Sequence, residues 1–423
     1  MICCYAKESM QFNDEGFKWI MNAPEDKENI KAGEIWVTTH TFACHKSQAV
    51  NCVELNPEFP LPPVLSREFI ENPPNKKKIR MMAHNGVGGG IGDCIGALNA
   101  YRRLYDEFWK RGRHLEIDIL CQDSKWMFTD HVMMFEPYVN MIVPGALPLP
   151  SYCKYDVRTD TEGYTEDMDE TGMHMYDYAC KRMCVDTQGP HRPEWHIGNK
   201  PFEEVREAVK DIPRPRALVN FFASSFRSIP KSHRRKLVEG VAKKGYHVLV
   251  VGHRDNVEAA RWAMKVSPKY QKQVHDCIDI TSRSLHHLAA LCGLVDFVLT
   301  PDTGLVHMCG LAGVPTVAVF YSIEPSLRIR DFPNIVPFCP QEFRDGPHWG
   351  QHKPYLSGFD PKNNKPFYEK MMRLYSNPET VPGYRDTWKK IDAKDILDLE
   401  GGPRIETTIR TAPMRKEEDD GTP

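Results

Sequence analysis

No run of eighteen apolar residues occurs in this 423-residue chain, so the sequence offers no candidate for a membrane-spanning helix. An excess of one charge is missing too. Lys and Arg number 55 against 57 Asp and Glu, and a net charge of −2 gives no general attraction to nucleic acid or to acidic membranes. The N-terminus, Met1-Ile2-Cys3-Cys4-Tyr5-Ala6-Lys7-Glu8, lacks a basic region followed by an apolar core. No secretory leader is expected, and the cytoplasm is the expected location. A paired cysteine framework is also lacking. Thirteen cysteines is an odd number, scattered over a chain too long to need staples, and they read as thiols of a reducing compartment. Cys180 and Cys184, with Cys153, His191 and His196 nearby, have a loose C-x-x-x-C spacing without a second Cys pair. They read as packing residues on a short helix rather than zinc ligands.

What is present is an ordinary globular composition, 41% hydrophobic and 26% charged, at a length that suits two domains. Residues 1–75 form an irregular arm with a weak strand signal at Gly33 to Thr39. From Lys76 a βα alternation begins. Lys78 to Ala83, Leu115 to Cys121 and Val139 to Val143 read as strands, and the helix from Ile91 to Gly112 carries apolar residues at Ile91, Ile95, Leu98, Tyr101, Tyr105 and Phe108. This first domain spans 76–212. It is interrupted at about 150–200 by a segment with eight Asp or Glu and a single Arg between Asp156 and Asp177, which reads as a solvated surface loop. The second domain, 213–338, alternates again: Ala217 to Ala223, His247 to Gly252 and Phe297 to Leu299 as strands, Lys231 to Lys244 and Ser284 to Gly293 as helices. Residues 339–409 form an extension, with one helix expected within Val381 to Leu399 crossing back to the first domain. Residues 410–423 read as a disordered tail. The alternation predicts an α/β protein of two doubly wound parallel-sheet domains, whose ligands sit at the carboxyl ends of strands.

Two segments carry chemistry. In Thr300-Pro301-Asp302-Thr303-Gly304-Leu305-Val306-His307, a buried strand ends in a tight turn and a short helix begins; Gly313 stops that helix before the strand Pro315 to Phe320. Such a turn aims backbone N–H groups and a positive helix end at one spot, where a diphosphate binds. Asp302 and Thr303 add oxygens for hydroxyl groups, and His307 adds a donor one turn on. The second segment is the glycine-rich loop from Gly86 to Asp93. Its glycines do not fit G-x-G-x-x-G in any register, so a dinucleotide fingerprint is excluded. It contains Gly90-Ile91-Gly92-Asp93 at a strand-to-helix junction, where Asp93 also suits a plain helix cap.

The first segment resembles the C-terminal signature of glycosyltransferase family 9, the heptosyltransferase family, in which Asp-Thr-Gly-x-x-His precedes a Gly-x-Pro-x-x-x-x-Phe strand. The glycine loop resembles that family's Gly-x-Gly-Asp opening. The resemblance implies the GT-B architecture, two Rossmann-like domains facing a central crevice. It implies Asp93 as general base, Gly89, Gly90 and Gly92 as the acceptor-side loop, and Asp302, Thr303, Gly304 and His307 as the nucleotide-sugar loop. Ser224 and Ser225 match hydroxyls that touch phosphate, and Arg227 falls near a lysine that pairs with the diphosphate. The family's Gly-Pro-Thr-x-Pro is replaced here by Tyr321-Ser322-Ile323-Glu324-Pro325. The implied reaction is inverting, metal-independent transfer of a sugar, such as a heptose, from a nucleoside-diphosphate sugar to a glycolipid or polysaccharide. No cofactor is expected beyond the donor, nucleic acid is not an expected partner, and peripheral contact with the inner face of a membrane is compatible. A GT-B-fold nucleotide-sugar epimerase, a non-catalytic nucleotide- or glycan-binding protein, and glycosylation of a modified nucleic-acid base remain alternatives.

Overall fold

The computed structural model describes residues 3–5, 35–38, 62–84, 90–121, 129–144, 146–159, 172–223, 227–350 and 383–412. The chain divides into two compact units, Met1–Pro193 and Glu194–Pro423.

The first unit is built on four parallel strands, β3 (Lys78–His84), β4 (His114–Cys121), β5 (Val139–Pro144) and β7 (Val157–Arg158), in the order β5-β4-β3-β7. The helix Ile91–Lys110 returns the chain from β3 to β4. Ile95, Leu98, Tyr101, Leu104 and Phe108 line its fully buried stripe. Leu104 occupies the place expected for Tyr105, which instead flanks the stripe and stacks on Trp109 at 6.1 Å. The helix closes at Gly112, whose φ of 69° is the left-handed value that glycine adopts without strain. A separate antiparallel sheet joins β1 (Cys3–Tyr5), β2 (Ile35–Thr38) and β6 (Ala146–Pro148) in the order β1-β2-β6. The arm is therefore less irregular than its sequence suggests; it also holds a helix, Arg67–Glu71, capped by Ser66.

The ends of the acidic segment are packed rather than solvated. Asp156 accepts from the Arg80 backbone N–H at 3.0 Å, Val157–Arg158 is a strand, and Asp177 meets the buried His191 at 2.6 Å. Residues 160–171, which hold most of the acidic residues, lie outside the described residues. His191 uses both ring nitrogens in hydrogen bonds, Nδ1 with Asn99 at 2.8 Å and Nε2 with Asp177. The Cys180 thiol, pushed up to about 11 by burial, accepts from Asn99 at 3.3 Å on the helix Met175–Arg182. These are packing contacts between two helices.

The second unit is a six-stranded parallel sheet of β9 (Arg216–Val219), β10 (His247–Val250), β11 (Val274–Asp276), β12 (Phe297–Pro301), β13 (Thr316–Val319) and β14 (Ile335–Phe338). Its order is β11-β10-β9-β12-β13-β14. Strands buried on both faces read as continuous apolar runs, and β9, β10 and β13 do so. The helix Gly304–Ala312 ends at Gly313, φ 68°, where an added Cβ would also lie 2.2 Å from the Ile405 carbonyl oxygen. Glycine is required there on both counts. Instead of one helix returning to the first unit, the C-terminal extension holds two, Tyr384–Trp388 and Ala393–Leu397, and both pack within the second unit. His233 Nε2 donates to the Ile391 carbonyl at 2.8 Å, and Trp388 stacks on Tyr321 at 6.0 Å. The start of the expected disordered tail is also ordered: β15 (Ile409–Thr411) pairs in parallel with β8 (Trp195–Ile197).

Candidate functional site

The sheet order of the second unit determines where a ligand fits. β9 and β12 are neighbours, with Ala217 opposite Phe297 and Val219 opposite Leu299. From β9 the chain proceeds outward to β10 and β11; from β12 it proceeds the other way to β13 and β14. The connections diverge, and the carboxyl ends of β9 and β12 flank a crevice, the topological switch point of a doubly wound sheet.

The loop after β9 is shaped by its own side chains. Asn220 Nδ2 donates to the Phe222 carbonyl at 2.9 Å and to Thr300 Oγ1 of β12 at 3.2 Å, while its Oδ1 accepts from Phe222 N–H at 3.2 Å. Ser228 Oγ bonds both the N–H and the carbonyl of Ala223 at 3.0 Å, and Ile229 N–H donates to the Phe221 carbonyl at 2.8 Å. The Tyr384 hydroxyl donates to the Ser228 carbonyl from the C-terminal extension. Ser224 and Ser225 lie outside the described residues.

This loop delivers Arg227 to Asp302. Arg227 Nη1 donates to Asp302 Oδ2 at 2.8 Å, joining the ends of the two switch-point strands. Asp302 is 3% exposed, and its backbone N–H is fixed on the Val319 carbonyl at 2.9 Å. Burial alone would push its carboxyl up. The Arg227 and Arg328 guanidiniums, the Arg227 hydrogen bond and His307 outweigh that, and hold it below the ordinary carboxylate value. Thr303 caps the helix Gly304–Ala312, its Oγ1 accepting from Leu305 N–H at 2.9 Å. One oxygen lone pair of Thr303 is thus committed to the helix, and its hydroxyl hydrogen remains a donor. Gly304 is the first helical residue. His307 is buried and meets the Phe332 ring edge-on at 6.3 Å. The fold thereby gathers Arg227, Asp302, Thr303, Gly304 and His307 at one strand-end cluster. In the segment that departs from the family pattern, the Ser322 carbonyl accepts from Gly350 N–H at 2.7 Å and Glu324 pairs with Arg344 at 2.5 Å.

Sequence reasoning missed two contributors. Asn220 had a usable signal, an Asn directly after a buried strand, where its side chain folds back on the next turn. Arg328 had none; only the tertiary fold brings the short helix Ser326–Ile329 near Asp302.

In the first unit, Asp93 is the third residue of the helix Ile91–Lys110, and its Oδ2 accepts from Gly90 N–H at 2.8 Å. It therefore acts as an N-terminal cap, and a carboxylate there also gains from the helix dipole. Gly92 lies in the same first turn, and Gly89 is outside the described residues. Gly96, one turn further, lies under Tyr176: an added Cβ would be 2.8 Å from that ring.

Comparison with known proteins bears on this cluster. Residues 188–329 match the family model described as "Glycosyltransferase family 9 (heptosyltransferase)", a span that includes Arg227, Asp302 and His307 and excludes Asp93. No curated protein sequence matches the chain. Among solved structures, the chain is similar to Escherichia coli ADP-heptose lipopolysaccharide heptosyltransferase II, at 15% identity and TM-score 0.48 over 71% of this chain and 100% of that one. It is similar to a family 9 glycosyl transferase from Veillonella parvula at 12% identity and TM-score 0.47, covering 76% and 97% of the two chains. A third is a dodecameric iron-containing heptosyltransferase, TibC, in complex with ADP-D-beta-D-heptose, at 13% identity and TM-score 0.41 over 79% and 78%.

Proposed function

We propose, from the match of residues 188–329 to the glycosyltransferase family 9 model, that this chain transfers a sugar from a nucleoside-diphosphate sugar to an acceptor hydroxyl, with inversion and without a metal ion. The observation that carries this reading is the meeting of Arg227 and Asp302 at the switch point, beside the N-terminus of Gly304–Ala312. A diphosphate leaves readily once its developing charge is neutralised. Arg227 can grip it with two parallel N–H bonds, the helix N-terminus adds backbone donors, and Arg328 adds a second cation nearby. The Asp302 carboxylate, ionised because of those guanidiniums, would accept from a hydroxyl of the donor.

Asp93 is assigned as the base. It would take the acceptor proton as the acceptor oxygen attacks the anomeric carbon, and the bond from that carbon to the diphosphate oxygen breaks, its electron pair leaving with the nucleoside diphosphate. One displacement inverts the centre. The family name suggests a heptose, and a glycolipid or polysaccharide is the proposed acceptor.

The hydrogen bond from Gly90 N–H to Asp93 favours the plainer role of a helix cap, and one variant separates the two. Asp93→Asn retains an oxygen for the cap. Transfer should fall by about a hundredfold or more while donor binding by calorimetry is unchanged. Transfer within a few-fold of the parent would leave Asp93 as a cap only. Activity should also survive EDTA; loss on chelation, with recovery on adding Mn²⁺, Mg²⁺ or iron, would overturn the metal-free reaction.

A further inference from the structure

The helix Lys231–Lys243 buries one side in the core of the second unit, where Leu237, Val238 and Val241 are no more than 1% exposed. Arg234 lies on the same stripe, one turn earlier, and is 6% exposed. Its spacing to Val238 and Val241 is i, i+4, i+7, which suits an apolar side chain, and an arginine is almost never buried at such a place unless it is engaged. Arg234 is engaged with a loop. Its Nε donates to the Ile229 carbonyl at 2.7 Å, and its guanidinium carbon lies 4.6 Å from the centre of the Phe222 ring. A sequence that breaks its own helical pattern at one residue does so most often where a site must be held.

Phe222 and Ile229 stand on the two legs of the loop that leaves β9 and carries Arg227. Ile229 N–H donates to the Phe221 carbonyl at 2.8 Å, and Ser228 Oγ bonds the N–H and the carbonyl of Ala223 at 3.0 Å. The Phe222 ring lies against Gly252, where an added Cβ would be 3.6 Å from it. Arg234 touches both legs, through the Phe222 ring on one and the Ile229 carbonyl on the other. A guanidinium can cover a ring and donate from its edge at the same time. We propose that Arg234 is a positioning residue, which closes the neck of this loop and thereby holds Arg227 at Asp302 before a donor arrives. It acts through Arg227, which directly precedes Ser228 and donates to Asp302 Oδ2 at 2.8 Å. A loop already fixed in its working arrangement spares the ordering cost at binding. The inference rests on the reading of the switch point as a nucleotide-sugar site.

The test compares the full chain with Arg234→Met, which keeps an apolar stem and removes the charge and the donors, and with Arg234→Lys. In hydrogen exchange read by mass spectrometry, peptides containing the Ala223 and Ile229 amides should exchange at least about tenfold faster in Arg234→Met, while those of β13 keep the parent's rate. In calorimetry with ADP, GDP and UDP, affinity should fall about five- to tenfold, the scale of one hydrogen bond. In an Arg227→Ala background the same change should cost less than about twofold, since the residue it positions is gone. Arg234→Lys, whose ammonium can still donate to Ile229 and sit on Phe222, should recover most of both losses. Equal losses of affinity with and without Arg227, unchanged exchange at Ala223 and Ile229, or no recovery in the lysine variant overturns the proposal. If Arg234→Met does not fold, Phe222→Leu, which removes the ring and stays apolar, should give the same pattern, and undisturbed exchange in it is an equally decisive refutation. If the parent binds none of the three diphosphates, the nucleotide reading fails, and the exchange rates alone decide whether Arg234 holds the loop.

Discussion

At the scale of single residues, the Arg227–Asp302 pair makes two different losses separable. Arg227→Ala should weaken nucleoside-diphosphate binding by about ten- to a hundredfold, the scale of a hydrogen bond to a charged group. Asp302→Ala removes a hydroxyl acceptor but releases Arg227 for phosphate. It should therefore cost more affinity for the sugar conjugate than for the bare nucleoside diphosphate, and equal losses in calorimetry would deny Asp302 a sugar contact. Titration of His233 gives a further prediction. Burial lowers its affinity for a proton, with nearby Lys236 acting in the same direction against the Ile391 hydrogen bond and Asp392. The unfolded chain takes up that proton near pH 6.5 and the folded chain only lower, so stability is full above that value and declines as pH falls below it. His275 is shifted the same way, first by burial and then by His247 and Arg216. The melting temperature should be lower at pH 5 than at pH 7.5, with a smaller drop in His233→Gln; an identical drop in the variant would assign the effect to other groups.

At the scale of elements, two helix glycines should respond differently to alanine. At Gly310 an added Cβ would lie 2.5 Å from the Phe332 ring, which is rigid and in turn meets His307. Gly310→Ala should destabilise by about 1–3 kcal/mol and weaken donor binding as well. At Gly240 an added Cβ would lie 2.2 and 2.9 Å from the two Leu397 methyls and 3.1 Å from its Cγ, but that half-buried side chain can swing aside as a whole, so Gly240→Ala should cost less than Gly310→Ala. Denaturant melts of both variants check the contrast, and an equal loss would refute it. The same distinction between local and distant causes explains what could be read in advance. β12 and β13 were legible because parallel strands buried on both faces are apolar runs bounded by Gly, Pro or Asp, whereas β3 and β4 keep Arg80, Glu116 and Asp118 among their apolar residues. Asp302 and His307 were legible because their turn chemistry is local. The two-residue strand β7 was not, since nothing in Asp156-Val157-Arg158 signals a strand; its pairing with β3 supplies the reason. Nor was the pairing of β15 with β8, which joins segments from opposite ends of the second unit. Arg328 belongs with these, a charge placed by packing alone.

At the scale of the whole molecule, both principal sheets are parallel and each has its own switch point, but only the second assembles its cluster from widely separated segments among the described residues. A ligand seated there should hold that unit together. A nucleoside diphosphate at a hundred times its dissociation constant should add about 2.7 kcal/mol of stability, and a panel of diphosphates in thermal melts would reveal which base is preferred. No rise with any of them would remove the switch point as a nucleotide site. The strand order also constrains the chain while it is being made. β9 emerges from the ribosome long before its neighbour β12; Arg216 and Asp296, bonded across that seam, are 80 residues apart. At about 5–20 residues per second, one apolar edge of β9 waits roughly 4–16 seconds for its partner. β8 waits longer still, for β15 near the end of the chain. A nascent second unit is therefore sticky for most of its synthesis, and its yield from a cell should depend on translation speed and chaperone supply before any property of the finished enzyme is felt.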